Sequence, residues 1–290
     1  MPERLSITFM EVGWGDSILI ESEDSNGRCR YALIDSNDTL HQPSSLLFLK
    51  RFFERKNVAF QRPAPRVFQF VLLTHTHADH AAGLPRLLRH FGADDLLYSA
   101  SSPPSDPLLA QMVRYANRPG ARLGATSPVH YGSPLGHIPF GPVTLEVLWP
   151  DPGFNDADEN NHSVVLALTL KKVSFILTGD ATADVWPRII PRLPSGTEVF
   201  QVPHHGARNG TFDPAGATPW VSHFATGTAP GHLAISCHPT PHSHPNANVV
   251  ATLASIATPG GGAAIRRTDL DYHLRFETDG AHVECRYTHA

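Results

Sequence analysis

The chain has 290 residues, with 23 Lys and Arg against 27 Asp and Glu and a formal net charge of -4. This acidic balance argues against a generic basic nucleic-acid coat. Hydrophobic residues make up 41% of the chain, and 22 Gly and 26 Pro indicate a folded protein rich in loops rather than a disordered one. The size fits one large domain or two small ones, and we expect a single domain over residues 1–290.

No segment of the sequence looks like a membrane anchor or an export signal. No apolar run approaches the ~20 residues that cross a bilayer, and the start MPERLSITFM has neither a basic region nor a long apolar one. We therefore expect a cytoplasmic protein without a membrane partner. Cys29, Cys237 and Cys285 are widely spaced and form no CxxC pair, so the sequence predicts neither a disulfide framework nor a thiolate zinc cluster.

The predicted elements alternate between strands and helices. Alternating or continuous apolar runs indicate the strands, and apolar residues three and four positions apart indicate the helices. In chain order they are strands over 5–9, 17–20 and 30–34, a helix over 44–56, a strand over 67–73, helices over 79–91 and 108–116, strands over 143–148, 163–170 and 173–178, a helix over 182–190, strands over 198–202 and 233–236, a helix over 246–256, and strands over 264–267 and 272–276. Two β-rich halves, each covered by helices, fit this order, so we predict an α/β fold built as an αββα sandwich.

Histidine is unusually frequent, with 18 residues, and neutral imidazole is the commonest metal ligand. His75, His77 and His80 lie together with Asp79 inside six residues, directly after the apolar run 67–73. The alternate positions 75 and 77 can face one metal ion, whereas 79 and 80, which enter a helix, can face a second. Imidazoles and carboxylates suit Zn, Mn or Fe. A solvated polar turn is the alternative, but the apolar strand before it disfavours that interpretation.

Two further candidates lie at the ends of predicted strands, where catalytic groups have a rigid support. Asp180 follows the strand 173–178, and His204 and His205 follow the strand 198–202. Taken alone, Asp180 could be a helix N-cap and the two histidines a polar loop. Together with the six-residue cluster they could hold two cations, with Asp180 as a bridge.

At these residues the sequence resembles the metallo-β-lactamase fold hydrolases, and within them the hydrolase domain of ComEC-type competence proteins, which act in DNA uptake. The six-residue cluster carries the resemblance to the superfamily, and the resemblance to the ComEC-like branch depends on the turn 12–17, on 203–206 and on His244-Pro245. Across the chain, the resembling segments are 12–17, 32–35, 72–83, 145–150, 161–166, 177–180, 202–206 and 244–245.

The resemblance implies a site for two divalent metal ions, Zn or Mn. By position, its metal ligands are His75 and His77 for the first ion, Asp79, His80 and His204 for the second, and Asp180 as the bridge. The expected catalytic residues are Asp79, His205 and His244. His205 is expected near the substrate, although which of His204 and His205 is the ligand stays open.

The first metal site departs from the superfamily pattern. Many lactamases and lactone hydrolases have a further imidazole on the first ion, where this chain has Asn160, Asn161 and then His162. The ComEC-like branch resembles this chain in having Asn there. We expect an amide from Asn160 or Asn161 to make the first site the looser one, because an amide oxygen is a weaker ligand for Zn than imidazole and more acceptable to Mn. His162 is the alternative ligand.

The late histidines lie in a loop rich in Pro and Asn. We interpret His238 and His242 as exposed loop residues. His244 matches the ComEC-like motif, and we expect it to bind substrate or to act as an acid.

The function implied is metal-assisted hydrolysis of a phosphodiester, in nucleic acid or in a smaller nucleotide-like ester. A water held by the two ions loses its proton near neutral pH and attacks the phosphorus, and the ions stabilise the charge that develops. Two alternatives remain: an ester, lactone or thioester hydrolase of the same fold, and a binding protein that has kept the fold and lost catalysis.

Overall fold

The computed structural model describes residues 2–257 and 263–288. Its strands are β1 (Arg4–Phe9), β2 (Ile18–Glu23), β3 (Cys29–Ile34), β4 (Phe68–Leu73), β5 (Ala93–Ser99), β6 (Leu123–Val129), β7 (Thr144–Trp149), β8 (Val165–Leu170), β9 (Val173–Leu177), β10 (Thr197–Gln201), β11 (His232–Ile235), β12 (Ala264–Arg267), β13 (His273–Thr278) and β14 (Val283–Thr288). Its α-helices are α1 (Ser44–Arg55), α2 (Ala78–Ala81), α3 (Leu84–His90), α4 (Pro107–Ala116), α5 (Trp186–Ile189), α6 (Arg208–Thr211), α7 (Pro219–Thr226), α8 (Ala247–Leu253) and α9 (Thr268–Asp271). Short 3₁₀ turns cover Glu159–His162, Ile190–Arg192 and His204–Gly206.

The strands form two sheets, each with a parallel part. The eight-stranded sheet has the order β14-β13-β1-β2-β3-β4-β5-β6, and the six-stranded sheet has the order β12-β11-β10-β9-β8-β7. The strands β3 to β6 run parallel in the first sheet, and β9 to β12 run parallel in the second. Parallel strands end at the same edge of a sheet, so the residues that follow β3 and β4 lie side by side, as do those that follow β9, β10 and β11.

The core has three layers that follow from the alternation of side chains along each strand. Leu5, Ile7 and Phe9 of β1 point between the sheets and pack with residues of the second sheet such as Phe175. The outer face of the first sheet is covered by α1, α3 and α4, and that of the second by α5, α7 and α8. The predicted αββα sandwich is therefore confirmed.

Most predicted strands agree with the structure, but two predicted helices were wrong in extent. The helix predicted over 79–91 is divided into α2 and α3. The break arises because the Ser36 N–H donates to His80 O at 2.7 Å and the Gly83 N–H donates to Ser36 O at 2.9 Å, which ties the chain to the end of β3. Gly83 is required there, since a Cβ would lie 2.1 Å from Ser36 Oγ.

The helix predicted over 182–190 begins only at Trp186. The N–H groups before it are already engaged by other segments: Thr182 donates to Asn161 Oδ1 at 3.1 Å, and Ala183 donates to Asn209 O at 2.7 Å. The strands β5, β6 and β14 and the helix α7 were not predicted. None of the described helices combines the length and the apolar character that crossing a bilayer requires.

A ring of aromatic side chains anchors α1 to the first sheet. Phe53 is fully buried, and its ring lies 5.1 Å from that of Tyr31, 5.8 Å from that of Phe68 and 5.5 Å from that of Phe91. Phe53 is therefore a central contact of the helix, beside the buried Leu46, Phe48 and Leu49.

We predict that Phe53→Ala lowers the free energy of unfolding by about 3–5 kcal/mol, the usual cost of removing a fully buried aromatic ring. Leu47→Ala on the same helix is the control, because Leu47 is 49% exposed and surface changes usually stay within about 0.5 kcal/mol. Urea denaturation of both variants measures the difference. Equal losses in the two variants would contradict this account of the core.

Candidate metal centre

The candidate site lies where strands of both sheets end. Residues 74–80 follow β4 in the first sheet, Asp180 follows β9, and His204 and His205 follow β10 in the second sheet. The two sheets meet here through the backbone, since the Val164 N–H donates to Thr74 O at 3.0 Å. Within the second sheet, the His204 N–H donates to Gly179 O at 3.1 Å. Side chains that are far apart in sequence are therefore held on rigid supports around one point.

Four buried side chains form one cluster of potential ligands. Asp79, His80, Asp180 and His205 each offer an atom, and these atoms all lie within 4.8 Å of one another. The Nε2 atoms of His80 and His205 are 3.2 Å apart, and they lie 3.2 Å and 3.3 Å from Asp180 Oδ1. Asp79 Oδ2 is 3.7 Å from His80 Nε2 and 3.5 Å from His205 Nε2.

The other cluster, called the first because it holds the ligands expected for the first ion, consists of His75, His77 and Asp180, again with atoms within 4.8 Å of one another. His75 Nε2 lies 3.8 Å from Asp180 Oδ2, the oxygen opposite to the one that faces His80 and His205. The rings of His75 and His77 are 4.6 Å apart. Asp180 thus belongs to both clusters.

Buried polar atoms without a partner show that these residues fit a metal ion. His75 Nε2 and Asp180 Oδ1 are buried and have no hydrogen-bond partner among the described residues. Such atoms are costly to bury unsatisfied, and imidazole nitrogen with carboxylate oxygen is a donor set that suits divalent metals. His75 Nε2 faces the other ligand atoms of its own cluster, and Asp180 Oδ1 faces His80 and His205. Each atom could therefore bind an ion held by its cluster.

Asp35, which follows β3, fixes the orientation of His80 by binding the ring nitrogen that faces away from Asp180. It is fully buried, and its Oδ2 accepts from His80 Nδ1 at 2.7 Å and from Thr74 Oγ1 at 2.6 Å. The Thr74 N–H donates to its Oδ1 at 2.8 Å. With its Nδ1 proton engaged, His80 presents the lone pair of Nε2 to the site, as is usual for metal-bound histidine.

A second carboxylate, Asp16, lies in the turn between β1 and β2, under the cluster of Asp79, His80, Asp180 and His205. Its Oδ2 accepts from Gln201 Nε2 at 2.7 Å, and its Oδ1 lies 3.8 Å from His205 Nδ1. The turn fits closely because Gly15 has a φ of +97° and a Cβ there would lie 2.4 Å from Asp79 O. Asp16 therefore adds negative charge beneath the histidines of the site.

The carboxylates and imidazoles change one another's proton affinity. Burial alone would lower the pKa of His205, but Asp180, Asp79 and Asp16 raise it to about 9. Burial and the neighbouring His80 hold the pKa of His75 well below its usual value. Burial opposes ionisation of Asp180, yet the histidines around it hold its pKa well below the usual range. The neutral His75 and the ionised Asp180 are the forms that bind metal.

The other expected site residues lie at the rim. His204 Nε2 is 3.6 Å from Asp180 Oδ2, on the side of the His75 cluster, and the His204 ring is 6.0 Å from that of His244. The ring of His242 lies 5.8 Å from that of His244 and 5.0 Å from that of Trp14. The loop with the late histidines thus reaches the site, and His242, although exposed, contacts His244 and Trp14.

Of the three residues expected to complete the first metal site, Asn161 and His162 make hydrogen bonds to other segments. Asn161 Oδ1 accepts from Thr182 N at 3.1 Å and from Thr182 Oγ1 at 2.7 Å. His162 Nε2 accepts from the Asp156 N–H at 3.3 Å, and His162 belongs to neither cluster. Asn160 Oδ1 is buried without a partner among the described residues.

Sequence reasoning missed several residues that contact the site. Asp16 and Asp35 appeared only as parts of resembling segments, and Ser163 and Glu159 were assigned no role. Ser163 Oγ lies 3.2 Å from His75 Nδ1 and accepts from the Asp180 N–H at 3.0 Å. For Asp35 a signal existed, since an apolar strand ends in a carboxylate there as it does before Asp180. For Ser163 and Glu159 the sequence holds no such signal.

Comparison with known families agrees with this geometry. The family model of the metallo-beta-lactamase superfamily matches residues 38–217, more than half of the chain. The chain therefore belongs to the metallo-beta-lactamase superfamily. It is a metal-dependent hydrolase by family, with a candidate metal site formed by the two clusters. No curated protein matches the chain.

Solved structures add a likeness in fold. The chain is similar to Igni18, a metallo hydrolase from the archaeon Ignicoccus hospitalis, with 14% identity and a TM-score of 0.53 over 95% of this chain and 99% of that one. It is also similar to a long form RNase Z from yeast, with 10% identity and a TM-score of 0.48 over 82% of this chain and 37% of that one. The first likeness shows the fold alone, and the second is too slight to support an argument.

We predict that Asp35→Ala weakens metal binding by about 10- to 100-fold, the usual cost of losing a partner behind a metal-bound histidine. Asp38→Ala is a matched control: Asp38 is also buried, but its carboxylate accepts from the N–H groups of Ser45 and Leu46 at the start of α1. We expect that control to lose stability and to keep its metal affinity. Competition with a chromophoric chelator measures both variants, and unchanged affinity in Asp35→Ala would show that His80 keeps its orientation without Asp35.

Proposed function

We propose that the protein is a binuclear metallohydrolase that cleaves phosphodiester bonds, with Asp180 bridging the two ions. The observation that carries this proposal is the position of the Asp180 carboxylate. Its Oδ1 lies 3.2 Å from His80 Nε2 and 3.3 Å from His205 Nε2, whereas its Oδ2 lies 3.8 Å from His75 Nε2 and 3.6 Å from His204 Nε2. One carboxylate that faces imidazoles through each of its oxygens has the arrangement of a bridging ligand.

In this proposal His75 and His77 hold the first ion, and Asp79, His80 and His205 hold the second. His205 takes the place that the sequence suggested for His204. The reason is that His205 Nε2 contacts both Asp79 and His80, whereas His204 contacts Asp180 on the other side. His204 then faces the substrate side of the first ion.

The ions, when bound, supply an activated water and positive charge against the oxygens of the reacting group. The chain's own residues orient the side chains that would bind the ions. Asp35 and Ser163 fix the rings of His80 and His75, so that both Nε2 atoms face inward. The burial of Asp79, His80, Asp180 and His205 excludes bulk water from these four ligands.

Substrate binding is assigned to the rim histidines. The Nδ1 atoms of His204 and His244 are buried and have no partner among the described residues. Burial, together with His205 and His204, lowers the pKa of His244 to about 4, so its ring is neutral at pH 7. A neutral ring donates a hydrogen bond but is a poor proton donor, which favours binding of phosphate oxygens over the acid role for His244.

The phosphodiester class is supported by the resemblance to ComEC-type hydrolase domains and by these unpartnered nitrogens. The charge near the site favours small esters over long nucleic acid. A cleft of about 340 Å³ includes Asn161 and Thr182, and its wall carries four carboxylates against the one guanidinium of Arg208. They belong to Asp156, Asp158, Asp184 and Asp213. Such a wall repels a polyanion.

We predict that Asp180→Ala abolishes hydrolysis and metal binding in both clusters while the protein stays folded. Its carboxylate is shared by the two clusters, and its side chain follows the end of β9 rather than packing in the core. Asp94→Ala is the control, because that carboxylate is exposed and belongs to neither cluster nor to the acidic cleft. Rates, metal analysis and circular dichroism are compared. Full activity of Asp180→Ala with unchanged metal content would refute the bridging role.

We predict faster turnover of a nitrophenyl phosphodiester than of a lactone or a neutral nitrophenyl ester, with short single-stranded DNA between them. The preference for the phosphodiester over the neutral esters follows from the unpartnered histidine nitrogens. The lower rate on DNA follows from the acidic cleft. Rates are measured side by side on one metal-loaded preparation, and His244→Ala is expected to raise the KM for the phosphodiester more than it lowers kcat. Turnover of the lactone alone would instead assign the protein to the ester and lactone hydrolases.

A further inference from the structure

The two clusters differ in the number of ligands that the described residues supply. Asp79, His80, Asp180 and His205 form the second cluster, whereas the first has only His75 and His77 besides the shared Asp180. A structural zinc site usually has four protein ligands, and a catalytic one has three and leaves a fourth position open. The first cluster therefore has room for another ligand.

The residues expected there are not free to move toward the ion. Asn161 Oδ1 is held by two hydrogen bonds from Thr182, and the Asn161 carbonyl accepts from Trp149 Nε1 at 2.8 Å. His162 Nε2 contacts the backbone of Asp156. Recruiting either side chain would break buried hydrogen bonds, which costs about 1–3 kcal/mol for each group left unsatisfied.

Glu159, at the start of the same 3₁₀ turn, lies beside the first cluster and contacts His77. Its Oε2 lies 3.6 Å from His77 Nε2. Two ligand atoms on one tetrahedral ion, each ~2.1 Å from it, are separated by about 3.4 Å, so this spacing matches that of neighbouring ligands. His75 Nε2 and Asp180 Oδ2, at 3.8 Å, have a similar spacing.

We propose that Glu159 is a further ligand of the first metal ion, in the place where related sites have an imidazole. This inference rests on the proposed binuclear centre. Of the three residues in the first cluster, Glu159 contacts His77, and its carboxylate would have to turn toward the other two to share an ion with them. The side chain of Glu159 is 45% exposed, so neighbouring groups leave it space to turn.

The ligand set has two chemical consequences for the first site. A carboxylate is a harder ligand than imidazole and shifts the preference of the site from Zn toward Mn. In addition, the side chain of His77 is 41% exposed, whereas all four ligands of the second cluster are buried. The first site therefore exchanges its ion with solvent more readily than the second.

Asn160 is the rival ligand. Its Oδ1 is buried without a partner among the described residues, but its Nδ2 donates to Asp158 Oδ1 at 2.9 Å, which holds the amide toward Asp158. A neutral amide also lacks the charge that attracts a divalent cation. The contact with His77 therefore favours Glu159.

The test is a titration of the metal-free full chain with Mn²⁺ alone, in which electron paramagnetic resonance reports the free ion. The wild type is expected to bind two equivalents, the second more weakly. Glu159→Gln is expected to keep the tight equivalent and to weaken the other by about 10- to 100-fold or more, since even the loss of an outer partner costs that much. Asn160→Ala and the control Glu54→Gln, an exposed glutamate on α1, are expected to bind both ions as the wild type does. Thermal melts establish that each variant is folded.

Each other outcome overturns the inference in a recognisable way. Two unchanged equivalents in Glu159→Gln would remove Glu159 from the site and leave the binuclear centre standing. A weakened equivalent in Asn160→Ala, with Glu159→Gln unchanged, would assign the amide instead. A single equivalent in the wild type would refute the binuclear centre, and the role of Glu159 with it.

Discussion

The structure depends on how a group of buried carboxylates is accommodated at the junction of two sheets. Asp16, Asp35, Asp79 and Asp180 are all buried within a short distance of His80 and His205. Burying an unpaired charge is prohibitive, so each carboxylate has an imidazole, hydroxyl or amide donor close by. Asp180 Oδ1 and His75 Nε2 nevertheless make no hydrogen bond among the described residues, and a cation bound there would satisfy both.

Holding that group in place shapes the backbone around it. His204 and His205 both have positive φ, +52° and +54°, a conformation that non-glycine residues adopt at a cost and that is concentrated at functional sites. The turn is pressed against the late histidine loop, since a Cβ on Gly206 would lie 2.6 Å from Pro245 Cβ. The two adjacent histidines thereby point to different sides of Asp180. The structure thus uses backbone strain to separate two side chains that are neighbours in sequence.

The fold and the centre of the site could be predicted from sequence because both leave local patterns. Alternating or continuous apolar runs identified β1 to β4 and β8 to β10. The spacing of His75, His77, Asp79 and His80 indicated metal ligands. The extents of α2 and α5 could not be predicted, because tertiary hydrogen bonds limit both helices. Ser36 bonds to the backbone of His80 and Gly83, and Asn161 accepts from Thr182. The different surroundings of His204 and His205 follow from two dihedral angles and from contacts across the sheets, which no local pattern encodes. The proximity of Glu159 to His77 arises in the same way, through the pairing of segments distant in sequence.

The position of the site between the sheets couples metal binding to the assembly of the two halves. His75, His77, Asp79 and His80 come from the end of β4 in one sheet, and Asp180 and His205 come from the other sheet. An ion bound by both groups joins the halves as a cross-link, and it binds the folded chain far better than the unfolded one. Its binding free energy then adds to the free energy of unfolding in proportion to RT ln(1 + [ion]/Kd). We therefore expect the concentration of free metal ions around the protein to change its resistance to heat and to proteases.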